Sequence, residues 1–352
     1  MARPARRSGT ACARTPPEEG ALDMSEENTT REFWVQEPGR GEIITGRLNA
    51  VGPSDVVVRN LYSGISRGTE SLVFRGEVPA SRYREMRAPF QAGDFPAPVK
   101  YGYISVGLVE SAGDDATDLI DRVVFCLHPH QDRYVVPASS VTVLPESVPA
   151  PRAVLAANME TAVNAVWDAE ISIGDRVLVV GAGVVGLLIA WLAARIPGTN
   201  VTIVDIREGR ADVATGLGVH FDTAAPPAMD ADVVVHASGN PEGLTTALAS
   251  AGTEARVVEV SWFGDRLVAV PLGEAFHDRR LSIRSSQVGR IPPGRAPRWD
   301  YARRLAVALD LLECDALDAL ITGESEFDEL PDVMERLAGS GGDTLCHRIR
   351  YD

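Results

Sequence analysis

The sequence predicts an α/β chain in two parts, a β-rich, barrel-like domain followed by a doubly wound parallel sheet. Three observations carry this expectation. From Arg31 to about Ala150, short β-branched and aromatic runs alternate with Gly and Pro turns, and no long helical period appears. From Gly174 onward, short and fully apolar runs are separated by stretches of helix length, the pattern of a parallel sheet covered on both faces. The first of those runs leads directly into Gly181-Ala182-Gly183-Val184-Val185-Gly186.

Taken in order, residues 55–62, 106–110, 122–126 and 134–137 read as strands of the first part. In the second part, 176–180, 201–204, 232–235, 256–260 and 281–284 read as strands, with helices over 184–196, closed by Pro197-Gly198, and 243–251. After Pro292-Pro293, Tyr301, Leu305, Ala308, Leu309 and Leu312 share one helical face, 330–337 forms another helix, and 344–351 alternates as a final strand. Residues 1–30 are rich in Arg, Ala, Ser and Pro, then acidic; without an apolar core they are neither signal nor anchor and are expected to be disordered, with Met24 as the native start.

Composition narrows the function. A net charge of −15 argues against nucleic acid, whose phosphates demand a basic face. No run of about eighteen apolar residues occurs, so no membrane span is expected. The four cysteines, Cys12, Cys126, Cys314 and Cys346, share no metal-like spacing and follow no signal peptide, which points to a reducing cytoplasm. Lys100 is the sole lysine of the chain.

The glycine turn has the setting of a dinucleotide site: a strand before it, a helix opened by it, and a second strand ending in an acid. Gly181 permits the tight turn, Gly183 lets the backbone approach a pyrophosphate, and Gly186 allows close helix–strand packing. The amides around Val184 and Val185 would hold the pyrophosphate. Asp205 closes the second strand, where a carboxylate accepts ribose hydroxyls and repels a 2′-phosphate, so NAD is favoured over NADP. Arg207 is the counterweight, since it could pair with a phosphate. Ser238, in His236-Ala-Ser-Gly239 at the end of the 232–235 strand, is either a cofactor contact or part of a strand-ending turn.

With these residues in view, the chain resembles the medium-chain dehydrogenase/reductase superfamily, zinc alcohol dehydrogenase type, from about residue 31 to the end. Tyr62-Ser-Gly-Ile-Ser-Arg-Gly-Thr-Glu70 and Gly102-Tyr103-Ile104-Ser105-Val106-Gly107 look most like its bacteriochlorophyllide hydroxyethyl dehydrogenase branch. The resemblance implies a GroES-like catalytic domain over 31–166 and 293–352, a Rossmann domain over 167–292, and a homodimer paired at the edge strand near 281–285. It also implies a nicotinamide contact at Thr161.

The zinc positions depart from the family pattern. Ser66 or Arg67 stands in place of the cysteine, Tyr103 in place of the histidine, and Ala157 at the third ligand position. None is a usual zinc ligand, so no metal is expected. A different metal site from Glu70, His128, His130 and Glu160 lacks an identifiable third ligand. Without zinc, a general acid or base must serve the reacting oxygen. The resemblance puts Thr69 beside that oxygen and Glu70 just behind it. Lys100 near Tyr103 would favour a phenolate, although Lys100 could equally be a surface cation and Tyr103 packing for the nicotinamide. His128 and His130, placed on one face if the segment is a strand, titrate in the range of a base or serve structure. Trp262 and Arg290 follow strands and would shape the substrate end.

These readings combine into a zinc-independent oxidoreductase passing hydride between NAD and a small secondary alcohol or ketone, with a cyclitol, a sugar-like compound or a specialised metabolite as substrate. The alternatives are a zinc-free NADPH quinone or enoyl reductase and a non-catalytic NAD-binding protein.

Overall fold

A computed structural model describes residues 29–226, 229–339 and 342–351. The expectations for residues 1–28, including a start at Met24, lie outside the described residues. Thr29 and Thr30, expected within the disordered segment, belong to the first strand, where buried Thr30 bonds Asp132 Oδ1 at 2.8 Å.

The first part consists of β1 (Thr29–Glu37), β2 (Arg40–Arg47), β3 (Asp55–Ile65), β4 (Ala92–Gly93), β5 (Val99–Lys100), β6 (Ser105–Ala112), β7 (Val123–Cys126), β8 (Arg133–Pro137) and β9 (Val141–Val143). Long β3 is its spine, pairing antiparallel with both β6 and β8. One helix interrupts the strands, α1 (Arg67–Phe74), where none was expected. Its sequence is a poor helix former, with Gly68 and β-branched Thr69 and Val73. It forms because Leu72, Val73 and Phe74 are buried and because Glu70 Oε1 accepts the Ser66 amide at 2.7 Å, satisfying a donor of the first turn. Tertiary burial overrides propensity here.

The second part opens with α2 (Ala156–Ala169) and continues through β10 (Arg176–Val180), α3 (Val184–Ala193), β11 (Asn200–Val204), α4 (Ala211–Gly216), β12 (His220–Asp222), β13 (Ala231–His236), α5 (Pro241–Ser250), β14 (Ala251–Glu259), α6 (Ala275–Asp278) and β15 (Ser282–Ser285). The six strands form one sheet in the order β12-β11-β10-β13-β14-β15, every pair parallel. Strand order reverses between β10 and β13, the crevice where open α/β sheets bind ligands. Helix α5 starts earlier than the apolar period suggests, because Asn240 caps it by accepting the Glu242 amide at 3.0 Å and Pro241 suits the first turn.

The chain then returns to the first part through α7 (Tyr301–Asp310), β16 (Ile321–Glu326), α8 (Leu330–Ala338) and β17 (Cys346–Arg350). Strand β17 pairs antiparallel with β3, from His347 opposite Ile65 to Arg350 opposite Tyr62. In α7, Ala308 and Leu309 are buried, but Tyr301, expected on the same face, is 54% exposed. No helix among the described residues is long and apolar enough to cross a membrane.

A buried ion pair ties α7 to α2. Arg304 is 2% exposed, with Nε 3.1 Å from Glu160 Oε1, Nη1 2.5 Å from Asn164 Oδ1 and Nη2 2.6 Å from the Val288 carbonyl. Burial raises the Glu160 pKa, and the guanidinium opposes that rise. Removing one partner of such a pair strands the other, so Arg304→Met should destabilise the fold by about 3–5 kcal/mol, and adding Glu160→Leu should recover much of it. Urea denaturation of the single and double variants measures this; an Arg304→Met protein as stable as the parent would contradict it.

Candidate active site

Backbone crowding requires glycine at two positions of the glycine turn and leaves the third facing open space. Gly181 sits at φ +110°, and a Cβ there would lie 2.6 Å from the Ser238 nitrogen, so β10 and β13 can approach only with glycine at this position. At Gly186 a Cβ would overlap the Gly181 carbonyl oxygen, which locks the turn against α3. At Gly183 a Cβ would meet nothing within 4 Å. That open space belongs to a cleft of about 750 Å³ lined by Gly181, Gly183, Val184 and Val185. No side chain caps the start of α3, so its first amides and the positive end of its dipole are left for an anion. A dinucleotide pyrophosphate fits these residues.

On the β11 side, Asp205 Oδ2 accepts the Ala182 amide at 2.8 Å and Oδ1 the Arg207 amide at 3.0 Å. The carboxylate therefore braces the turn as well as facing the cleft. Three arginines surround it. Arg67 from α1 and Arg210 donate to the Thr344 carbonyl at 2.9 and 3.4 Å, and Arg207 donates to the Gly342 carbonyl at 2.6 Å. Burial first, then mutual repulsion, lowers the pKa values of Arg67 and Arg210; Asp205 and Asp343 offset it only partly. This excess of positive charge at the cleft wall suits an anionic ligand. Arg210 was missed from the sequence, and Arg67 was read there only as a residue standing in place of a zinc-ligand cysteine.

The opposite end of the cleft is lined by Ser66, Asn158 and Trp262. Tyr103, half-buried with its hydroxyl turned inward, donates to Ser66 Oγ at 2.5 Å and also hydrogen-bonds Thr69. Behind Ser66, Glu70 Oε2 meets His130 Nε2 at 2.8 Å, His130 Nδ1 meets Ser63 Oγ at 2.7 Å, and Ser63 Oγ meets the Tyr351 hydroxyl at 2.9 Å. Ser66, Thr69, Glu70, Tyr103 and His130 are thus brought together. Ser63 and Tyr351 were not foreseen.

Several expectations need correction. Lys100 does not pair with Tyr103; its ammonium, 8% exposed, lies 2.7 Å from Gln131 Oε1 and 3.1 Å from Glu32 Oε2. Tyr103 is accordingly no phenolate: burial first, then the Glu70 charge, pushes its pKa up to about 12. His128 and His130 do not lie on a strand, since β7 ends at Cys126 and β8 starts at Arg133. His128 stacks on Tyr134 at 3.7 Å, and its Nδ1 meets the Pro129 carbonyl at 2.9 Å. The Thr161 hydroxyl donates to the Ala157 carbonyl of its own helix at 2.9 Å, and Asn158 lines the cleft instead. Ser238 and Trp262 line the cleft; Arg290 is exposed and does not.

The donor set does not fit zinc. A hydroxyl at Ser66, a phenol at Tyr103 and a methyl at Ala157 supply none of the thiolate, imidazole or carboxylate ligands that zinc requires. Glu70 and His130 are joined to each other, while Glu160 is held by Arg304. Among the described residues no three His, Cys, Asp or Glu side chains gather as a metal site.

No protein-family model matches the chain. It is 25% identical over 306 residues to D-guloside 3-dehydrogenase of Escherichia coli (strain K12), covering 78% of this chain and 87% of that protein. It is 29% identical over 295 residues to 2-desacetyl-2-hydroxyethyl bacteriochlorophyllide A dehydrogenase of Rhodobacter capsulatus, covering 78% and 83%. Alcohol dehydrogenase TADH from Thermus sp. ATN1 shares the fold, with a TM-score of 0.70 at 18% identity over 92% of this chain and 100% of that one. Two-part architecture, a nucleotide-type turn at the switch point and these relatives agree on the class of its homologues, which are medium-chain dehydrogenases of the zinc alcohol dehydrogenase type. The fold is the GroES-like and Rossmann pair of that class.

The buried His128 gives a pH prediction. Burial depresses its pKa from 6.5 to about 3, so below pH 6.5 the unfolded chain takes up a proton that the folded one refuses. Stability should fall as pH drops, by roughly 2 kcal/mol at pH 5 from this group alone, at about 1.4 kcal/mol per pKa unit. His128→Asn should lose that share of the slope in denaturation curves at pH 7 and pH 5; an unchanged slope would refute it.

Proposed function

We propose that the protein is a zinc-independent dehydrogenase acting between NAD(H) and a secondary alcohol or ketone of a sugar-like, cyclitol or specialised metabolite. The observation that carries this reading is one cleft running from the Gly181–Gly186 turn and Asp205 to the Ser66 hydroxyl. The dehydrogenase names of the relatives, on a guloside and a bacteriochlorophyllide, support the substrate class. In this reading the catalytic part comprises 31–166 and 293–352, the cofactor part comprises 167–292, and the protein works in the cytoplasm. Among the described residues, strand β15 has β14 on one side and no strand on the other, which supports a homodimer paired at that edge; light scattering of Ile283→Pro against the parent would test it.

When bound, the dinucleotide supplies the hydride chemistry. Gly181, Gly183, Val184, Val185 and Gly186 seat its pyrophosphate, Asp205 and Arg207 hold the adenosine ribose side, and Ser238 takes the other half, with Thr161 shaping the helix beneath. The Ser66 hydroxyl reaches the substrate oxygen, and Tyr103 stands behind it as proton donor. With its pKa pushed up to about 12, the phenol carries its proton at pH 7, although the same rise makes it a weaker acid than a free tyrosine. At neutral pH the role open to it is supplying the proton for ketone reduction. Glu70 and His130 hold the Ser66 backbone, and Thr69 steadies the phenol. Lys100 and His128 have structural duties in this scheme.

Tyr103→Phe should lower kcat for ketone reduction about 10²–10³-fold while leaving NADH affinity unchanged. Chelators should leave the parent's activity intact, and elemental analysis of the purified protein should find no stoichiometric zinc. Zinc at one equivalent, or a fully active Tyr103→Phe, would defeat the scheme.

A second reading is favoured by the Arg67, Arg207 and Arg210 cluster, whose charge suits a 2′-phosphate and hence an NADPH quinone or enoyl reductase. Asp205 faces the same ribose and favours NAD. Steady-state kinetics with both cofactors should give the higher kcat/KM with NADH; preference for NADPH together with enone turnover would replace the first reading with the second. Tight NADH binding without turnover of alcohols, ketones or enones would mark a non-catalytic protein.

A further inference from the structure

Between the ends of β13 and β14 lies a row of three hydrogen-bonded side chains, of which only Ser238 has a part in the chemistry above. His236 is fully buried; its Nδ1 lies 2.7 Å from Glu259 Oε2 and its Nε2 2.6 Å from Ser238 Oγ. The Phe263 ring stacks over it with centroids 6.1 Å apart. Ser238 is exposed on the cleft wall. Across from it, a Cβ at Gly243 would overlap Ser238 Oγ, so the first turn of α5 leaves room for the serine–histidine bond.

The protons of this row can be assigned from its ends. Glu259 Oε1 accepts the Ser261 amide at 2.7 Å, and an ionised carboxylate has no hydrogen to give. His236 must therefore carry its hydrogen on Nδ1 and donate it to Glu259. In the neutral imidazole Nε2 is then bare and accepts, so the Ser238 hydroxyl gives its hydrogen there. The Asn240 amide donates to Ser238 Oγ at 3.2 Å. What Ser238 has left for a ligand is one lone pair, and the carboxylate at the far end of the row strengthens it as an acceptor.

Topology says which part of the ligand lies there. A dinucleotide spans the switch point between β10 and β13. Asp205 at the end of β11 takes the adenosine side, so Ser238 at the end of β13 faces the nicotinamide half. The O–H donors in that half belong to its ribose.

We infer that Ser238 Oγ accepts a hydrogen bond from a hydroxyl of the nicotinamide-side ribose, and that His236 and Glu259 are positioning residues that hold it in the accepting state. This rests on the dinucleotide reading of the cleft. Calorimetric binding of NADH, ADP-ribose and ADP tests it, because ADP lacks the second ribose. Ser238→Ala, at an exposed position, should weaken NADH and ADP-ribose about fivefold and leave ADP unchanged. Glu259→Gln should turn its amide toward Nδ1, since the Ser261 amide fixes its oxygen, and so move the histidine hydrogen to Nε2. It should weaken the same two ligands about threefold, and that loss should vanish in the Ser238→Ala background. If the parent binds neither ADP nor NADH, the dinucleotide reading itself fails. If the parent binds all three ligands, but Ser238→Ala keeps full ADP-ribose affinity or Glu259→Gln weakens binding equally with and without Ser238, the inference alone fails.

Discussion

The cleft depends on how closely two strand ends approach at the switch point of the parallel sheet. The Gly181 amide bonds the Val204 carbonyl at 2.8 Å, and the Ala237 amide bonds the Val180 carbonyl at 2.8 Å, so β11, β10 and β13 are stitched together just where the chain turns. Ser238 then crosses close above Gly181, and any side chain there would push the strands apart. Asp205 reaches back to the same turn through the Ala182 amide. The seat for an anion, the acid beside it and the serine across from it are therefore a single rigid unit.

The second end of the cleft is built on hydroxyls. The carboxylate behind them is fully engaged: Glu70 spends one oxygen on the Ser66 amide and the other on His130. His130 passes the contact to Ser63 and Tyr351, leaving the row satisfied although buried. Tyr103 and Ser66 occupy the mouth of that arrangement.

Much of this was legible in the sequence, and the gaps have physical causes. Apolar runs gave every strand of the parallel sheet except short β12, because strands buried on both faces have little freedom in composition. The glycine turn and Asp205 were legible because backbone crowding restricts them to particular residue types. Helix α1 was hidden, since burial and a carboxylate from its own first turn outweigh its glycine and β-branched content. The Lys100–Tyr103 pair was inferred from adjacency, and it failed because the ammonium finds Glu32 and Gln131 instead. Glu259 stood unremarked at the end of a valine-rich strand, although a charge there nearly always has a partner.

The bond between Ser63 and Tyr351 joins residues 288 positions apart. The parallel sheet is assembled from neighbours close in sequence and can form while the chain is still being made. The row behind Ser66 cannot, because its last member, together with the strand that closes β3, is synthesised at the end. The glycine turn is thus synthesised well before the wall that Leu337, Gly339, Thr344 and Leu345 add to the cleft, so the cleft and the row behind Ser66 are completed together by the last stretch of the chain.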